Sequence, residues 1–402
     1  MEAPSRTSPL KVAWFSYFPI EWLDGLPPEL QSLPRMHPAT WQRVLIAELQ
    51  KDPTLELHVL VLRKQFPRTL SFQQGNTTFH CLKVPGGFRA PSLFWLDTWS
   101  VSRALRRIQP DLVHAWGTEN GAALIAARLR YPALVTMQGI MGWMKELGVA
   151  NSYQRFAARL EPGSLRRATD VSAESSFAIG YLGERYPHLQ LRHIEHAPAW
   201  GFHQMARKPE LSPLRLISIS TLGHAKGTDV LLQALEPLCS QLKFRVVLIG
   251  GAPPEVLEIY RQQTSPELWS RIEFKNHLTS AEIATELSRA ALMIYPTRAD
   301  NSPNAVKEAV VTGLPVVASA IGGIVDYVIP GENGFLFPSG DVAACRQAIE
   351  NALAHPTLSK GLIDEVVLAR SRDQLSPATM ARKFRDAYAD IASRRGAGAR
   401  VV

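Results

Sequence analysis

The sequence has little cysteine. Cys81, Cys239 and Cys345 stand far apart, and none belongs to a Cys-x-x-Cys pair. That argues against a disulfide framework and a cysteine-built zinc site, and it suits a reducing, cytoplasmic compartment. No apolar run approaches the roughly 20 residues that cross a bilayer. The segment Met1–Pro9 is polar and lacks the apolar stretch of a secretory leader. Gly-x-Ser-x-Gly, a P-loop, Asp-x-Asp and His/Cys/Asp clusters with metal-ligand spacing are all missing. No Gly-x-Gly-x-x-Gly follows the first apolar strand, so a dinucleotide-binding turn is disfavoured. These absences speak against a nucleophile-elbow hydrolase, a P-loop nucleotidase and a bound metal. There is no long Lys/Arg block either.

What is present is globular. Of 402 residues, 46% are hydrophobic and 20% charged. At roughly 100–200 residues per domain, two domains are expected. The net charge is +8, and residues 1–200 carry most of it, with 22 Lys/Arg against 16 Asp/Glu. A basic first half suits an anionic partner such as nucleic acid, phosphate or a membrane surface, and a modestly basic soluble protein is the alternative.

Short apolar runs alternate with amphipathic stretches of helical length. Strands are expected at Lys11–Phe15, Leu57–Leu62, Thr78–Val84, Asp111–His114 and Ala133–Thr136. The alternation pauses over His196–Pro213, which holds three prolines. It resumes with strands at Leu214–Ser220, Phe244–Ile249, Ile272–Phe274, Ala291–Tyr295 and Pro315–Ala318. This pattern predicts parallel sheets covered by helices, in two doubly wound units. We place the units at 1–205 and 206–375. A last helix opens at Ser376-Pro377 and presents Met380, Phe384, Ala387, Tyr388 and Ile391 as one apolar stripe. It is expected to pack back on the N-terminal domain, with a frayed tail over Arg394–Val402.

The chemistry concentrates in residues 296–341. A strand ending at Tyr295 runs into a polar loop with Asp300, Asn301, Ser302, Pro303 and Asn304. Ser302 is a plausible N-cap for a helix that stops at Gly313. A helix N-terminus then opens beyond the carboxyl end of a parallel strand, where such sheets bind anions. Asp300 and Glu308, with seven residues between them, are spaced to hold hydroxyls on two parts of one ligand. The alternative is a capping Asp300 and a solvated Glu308. Gly322-Gly323, after the next strand, permits close backbone approach to a ligand.

Together these residues resemble the signature of glycosyltransferase family 4, E-x-F-P-N-x-x-x-E-A, which stands here as D-N-S-P-N-A-V-K-E-A. The following G-L-P-V-V-A-S, G-G-I and E-N-G-F-L-F are also similar to that family. The resemblance implies an α/β GT-B fold, two Rossmann-like domains facing across a cleft. It implies retaining, metal-independent transfer of a sugar from a nucleotide-sugar donor, UDP- or GDP-linked, with no separate cofactor. Under it Glu308 holds the ribose hydroxyls, and Asp300 holds the donor sugar near its reacting carbon. Asn301, Ser302, Asn304, Gly322 and Gly323 line the sugar and phosphate. The stretch Leu222–Gly227 is similar to the family's G-R-L…K-G loop, so Gly223 and Lys226 face the diphosphate.

Three positions depart from that pattern. Thr221 replaces the usual Arg five residues before the Lys, and Arg298 is a possible substitute cation. Gln138 stands where a His usually contacts the donor sugar. Asp300 is one methylene shorter than the usual Glu. These departures motivate a second reading, a nucleotide-sugar-binding protein without transfer activity.

On the acceptor side, the Ser16–Pro38 loop carries Trp22, His37 and five prolines. It either recognises the acceptor or packs as a surface insertion. His114, Glu119 and Asn120 are weaker acceptor candidates, and a packed His114 is the alternative. The basic, aromatic stretch Met141–Arg167 is either a solvated helix near the cleft, the favoured reading, or a contact with an anionic membrane from the cytoplasmic side. A carbohydrate or lipid-linked acceptor, in polysaccharide or glycolipid assembly, is the expected partner. No nucleic-acid partner is expected.

Overall fold

The computed structural model describes residues 8–276 and 278–398. Most of the Met1–Pro9 segment and the end of the tail therefore lie outside the described residues. The chain divides into two compact units. The first holds the chain to Glu174, Ala178–Glu195 and the last helix from Met380; the second holds Ser175–Phe177 and His196–Thr379.

The first unit is built on an eight-stranded sheet. Its strands are β1 (Leu10–Phe15), β2 (Leu55–Arg63), β3 (Leu70–Gln74), β4 (Thr77–Lys83), β5 (Leu112–Trp116), β6 (Ala133–Thr136), β7 (Asp170–Ala173) and β8 (Gln190–His193). They lie in the order β3-β4-β2-β1-β5-β6-β7-β8. All neighbours are parallel except β3 and β4, a hairpin turned at Gly75-Asn76. The central strands β1 and β2 are apolar with little alternation, as strands covered on both faces must be. β3, β7 and β8 escape the sequence reading. β3 is a polar edge strand that alternates in exposure, and β7 and β8 are only four residues each.

The second unit has six parallel strands: β9 (Leu214–Ile219), β10 (Phe244–Ile249), β11 (Ile272–Lys275), β12 (Leu292–Tyr295), β13 (Val316–Ser319) and β14 (Gly334–Phe337). Their order is β11-β10-β9-β12-β13-β14. Successive residues feed opposite faces. Leu216, Val246, Leu248, Leu292 and Ile294 join one core, and Ile217, Val247, Ile249 and Met293 join the other. Burial on both sides is why these strands read as continuous apolar runs.

The switch between units falls at Glu195/His196, ten residues before the expected 205/206. The reason is Phe202, which is buried in the core of the second unit and draws the Trp200–His203 helix with it. The last helix, Pro377–Gly398, belongs to the first unit from Met380 on. Its whole stripe from Met380 to Ile391 is buried. The Tyr388 hydroxyl accepts from Trp14 Nε1 at 3.1 Å and lies 2.7 Å from His114 Nδ1. Arg394, expected to fray, pairs with Asp170 and bonds to Gln190 at 2.7 Å. Cys81, Cys239 and Cys345 are buried and free.

Candidate functional site

β9 and β12 are neighbours, but β9 connects onward to β10 on one side and β12 to β13 on the other. Such a switch opens a crevice at the carboxyl ends of the two strands. Two loops fill its rim. The loop after β9 ends in a 3-10 turn, His224–Lys226, and the loop after β12 carries Pro296–Pro303. They meet closely because Gly227 takes a left-handed φ of 71°. A Cβ there would lie 1.8 Å from the Pro296 carbonyl oxygen.

That closeness joins two expected site residues. Lys226 Nζ donates to Asp300 Oδ2 at 2.6 Å, and the Tyr295 hydroxyl donates to the same oxygen at 2.9 Å. Asp300 is therefore held by a cation and a phenol rather than spent on capping the helix. Tyr295 was not singled out from sequence. Its signal was a polar-tipped aromatic at the last position of an apolar strand.

The helix after the loop spans Asn304–Thr312, and its N-cap is Pro303 with no side-chain cap. Ser302 is not the N-cap that was expected. Its Oγ turns to the Tyr327 hydroxyl at 2.9 Å. The first amides of the helix stay uncapped by any side chain, and they carry the positive end of its dipole. Glu308 lies on this helix. Among the described residues its carboxylate has no hydrogen bond or ion pair. Desolvation pushes its carboxyl up to about 8, against the opposing pull of Lys307. A solvated surface charge would show no such shift. Lys307 is fully buried beside it, with Nζ 5.8 Å from the centre of the Tyr327 ring. This cation was also missed, although the spacing from Asn304 puts it one helical turn in from the loop.

Other expected residues take different places. Gly322 and Gly323 do admit a close backbone approach, but the approaching chain is the protein's own. A Cβ on Gly322 would lie 1.8 Å from the Asp300 carbonyl oxygen, and Gly323 N donates to Asn301 O at 2.7 Å. These glycines shape the Asp300 loop. Asn301 is buried, and its Oδ1 accepts from Ser175 Oγ at 3.0 Å within the same unit. Arg298 is not a spare cation. Both of its terminal nitrogens donate to Asp229, each at 2.7 Å. Thr221 is exposed at the end of β9, and Gly223 is extended with open space where a Cβ would point. Asn304 is the first residue of the helix. Gln138 lies in the first unit, just beyond β6. Among the described residues, no three or more His, Cys, Asp or Glu side chains are grouped to hold a metal ion.

In the first unit His114 is a core residue. Nδ1 meets Tyr388, and Nε2 lies 2.6 Å from Thr136 Oγ1. The Ser16–Pro38 loop is anchored by buried Phe18, Ile20 and Leu30, and by a buried Glu21–Arg63 ion pair at 2.6 Å. Trp22 donates to Met36 O at 3.0 Å, and His37 Nδ1 accepts from Ala39 N at 3.1 Å. Beside this loop is a cavity of about 300 Å³ lined by Tyr17, Lys64, Arg89, Phe94, Asn120 and Tyr153. Burial, with the charge of Glu161, pushes the neighbouring Glu119 carboxyl up to about 7. The stretch Met141–Arg167 is not a continuous exposed band. Trp143 is buried, and the Ser152–Leu165 helix turns Ala157, Ala158 and Leu165 inward.

Two family models match the chain, one in each unit. Residues 39–190 match a "Glycosyl transferase 4-like domain", and residues 213–355 match "Glycosyl transferases group 1". The chain belongs to the group 1 glycosyl transferases. Its second-unit match contains Lys226, Asp300 and Glu308 together. A curated relative is the glycogen synthase of Mycobacterium tuberculosis (strain CDC 1551 / Oshkosh), 24% identical over 262 residues. That match spans 63% of this chain and 63% of the relative, under two thirds of its length. Among solved structures, sucrose-phosphate synthase from Thermosynechococcus elongatus aligns with a TM-score of 0.78 at 17% identity. It covers 96% of this chain and 100% of the other. Anabaena Alr3699/HepE in complex with UDP and glucose aligns with a TM-score of 0.66 at 15% identity, covering 95% and 100%. The fold is GT-B, with two Rossmann-like parallel-sheet domains.

Proposed function

We propose that this chain transfers a sugar from a nucleotide-sugar donor to an acceptor hydroxyl with retention of configuration. The observation that carries the reading is the crevice over β9 and β12. There Lys226 and Asp300 are paired at 2.6 Å, and the Glu308 carboxylate is desolvated and lacks a protein partner. A part-accessible carboxyl in that state, which ionises as hydroxyls donate to it, is a natural acceptor for two vicinal hydroxyls, and this favours the ribose of the donor. The HepE structure, on the same fold, is a complex with UDP and glucose.

In this reading the diphosphate lies between Lys226 and the uncapped amides of the Asn304–Thr312 helix. Thr221 and Gly223 border it without adding charge. Asp300 faces the donor sugar, with Asn301, Ser302, Gly322 and Gly323 shaping the wall behind it. The bond from the anomeric carbon to the phosphate oxygen breaks, and its electron pair leaves with the nucleoside diphosphate. The acceptor oxygen bonds to the same face of that carbon, and its proton passes to the departing phosphate oxygen. Lys226 and the helix dipole stabilise the charge that develops on the leaving group. The acceptor lies in the Tyr17–Tyr153 cavity of the first unit, and a polysaccharide or glycolipid hydroxyl is the favoured class. The reaction needs no bound metal, and the chain works on the cytoplasmic side.

The test is incubation with pooled UDP-, GDP- and ADP-sugars and a panel of octyl glycosides as acceptors, with nucleoside diphosphate release and the anomeric configuration of the new glycoside read by NMR. Release of one nucleotide with a retained anomer is expected. An inverted product would overturn retention, and no release from any donor would overturn the function.

A further inference from the structure

The first unit carries a surface that the transfer reaction does not use. Between Glu56 and Asp111 lie 54 residues with eight Lys/Arg and one acid, Asp97. That acid is buried and paired with Arg89 at 2.8 Å. Within this cationic stretch, large apolar side chains face solvent: Phe88 (64% exposed), Trp95 (59%) and Trp99 (61%), together with Leu93 and Leu96. Exposed aromatics in such a cluster mark an interaction site rather than ordinary surface.

The local structure puts them there. The helix Trp95–Ile108 buries Thr98, Val101, Leu105 and Ile108 on one side. At 100° per residue, the opposite face carries Trp95, Leu96, Trp99, Arg103, Arg106 and Arg107. The turn before it is forced outward. Leu93 and Phe94 adopt left-handed φ angles of 47° and 61°, which non-glycine residues rarely accept. Phe94 is driven inward over Gly121, where a Cβ would sit 2.4 Å from its ring. Anchoring Phe94 leaves its neighbours Leu93 and Trp95 on the outside. Arginines surround them: the Arg128 guanidinium lies 4.2 Å from the centre of Trp95, and Arg103 lies 5.9 Å from Trp99.

We propose that this face docks onto a bilayer containing anionic phospholipid. The tryptophans, Phe88 and the leucines enter the headgroup boundary, where amphipathic rings are most stable. Arg103, Arg106, Arg107 and Arg128 pair with lipid phosphates. Charge complementarity selects this occupant. A second copy would bring the same uncompensated arginines face to face across a two-fold axis. Its residues belong to the first unit and those of the donor crevice to the second, so the proposal stands or falls independently of the transfer reading.

Sedimentation of the full chain with vesicles tests it. One set is phosphatidylcholine alone, and the other contains phosphatidylglycerol. Binding to the phosphatidylglycerol set is expected, weakened by high salt, with little binding to the neutral set. Trp95→Ala/Trp99→Ala should weaken it at least about tenfold, and Arg103→Gln/Arg106→Gln/Arg107→Gln about a hundredfold. Both variants alter exposed side chains, so their circular dichroism melts should match the unaltered chain. Absence of binding to phosphatidylglycerol vesicles overturns the proposal. So does equal binding to both vesicle sets, or undiminished binding by either variant. Conversion of a dimer to a monomer by the tryptophan variant would assign the face to a second copy instead.

Discussion

Glu308→Gln separates a binding role from a structural one. Burial raises the Glu308 carboxyl from an ordinary 4.5 to about 8. Between those values the folded chain keeps a proton that the unfolded chain releases. Stability therefore falls as pH rises across that interval, and the loss is complete above about 8. At 1.36 kcal/mol per pH unit the full penalty is at most about 5 kcal/mol. Glu308 keeps part of its surface accessible, and water there reduces the figure to about 1–3 kcal/mol. Glutamine has the same shape and never ionises. The variant should match the unaltered chain near pH 5 and melt about 2–12 °C higher near pH 9, at about 2–4 °C per kcal/mol. The same variant should lose nucleotide affinity, because hydroxyls donating to Glu308 favour its ionised form, which accepts more strongly than a neutral amide can. The assay is scanning calorimetry of both chains across pH 5–9, with nucleotide titration at neutral pH. A difference in melting that ignores pH, or that favours the unaltered chain at pH 9, would refute the reasoning.

Lys226→Ala removes one partner of a part-exposed pair, so stability should drop by less than about 1 kcal/mol. Donor affinity should nevertheless fall by more than about tenfold, since the diphosphate loses a cation; titration beside a urea melt checks both. Tyr388→Phe deletes the hydroxyl shared by Trp14 and His114, and it should destabilise the first unit by about 1–3 kcal/mol. Nucleotide binding should be unchanged, because the loss is confined to that unit. Gly322→Ala places a methyl 1.8 Å from the Asp300 carbonyl oxygen at a φ of 57°. It should cost more than about 3 kcal/mol in urea unfolding and abolish donor binding by displacing the Asp300 loop.

Much of the architecture was legible because parallel strands buried on both faces write themselves as apolar runs. Phe244–Ile249 was read with its bounds correct for that reason. The pairing of Asp300 and Glu308 about one helix start was legible because residue spacing survives folding, whatever surrounds them. What sequence could not give was partnership. Lys226 and Arg298 look alike as lone cations, yet one meets Asp300 and the other is locked by Asp229. His114 looked like a ligand candidate until a tyrosine 274 residues away was seen to fill its hydrogen bond. Gly322 and Gly323 were read as room for a ligand, and they proved to be room for the chain's own loop. The composition of Met141–Arg167 is basic and aromatic, which suggests membrane contact. Composition says nothing of which side chains face out, and Trp143 faces in while Trp95 and Trp99 face out.

Calorimetric titration of the intact chain and Glu308→Ala with UDP, GDP, ADP and their sugars tests the donor crevice most directly. One nucleotide class should bind the intact chain, and its affinity should fall about a hundredfold or more in the variant. No binding by any nucleotide, or equal binding by both chains, would contradict it.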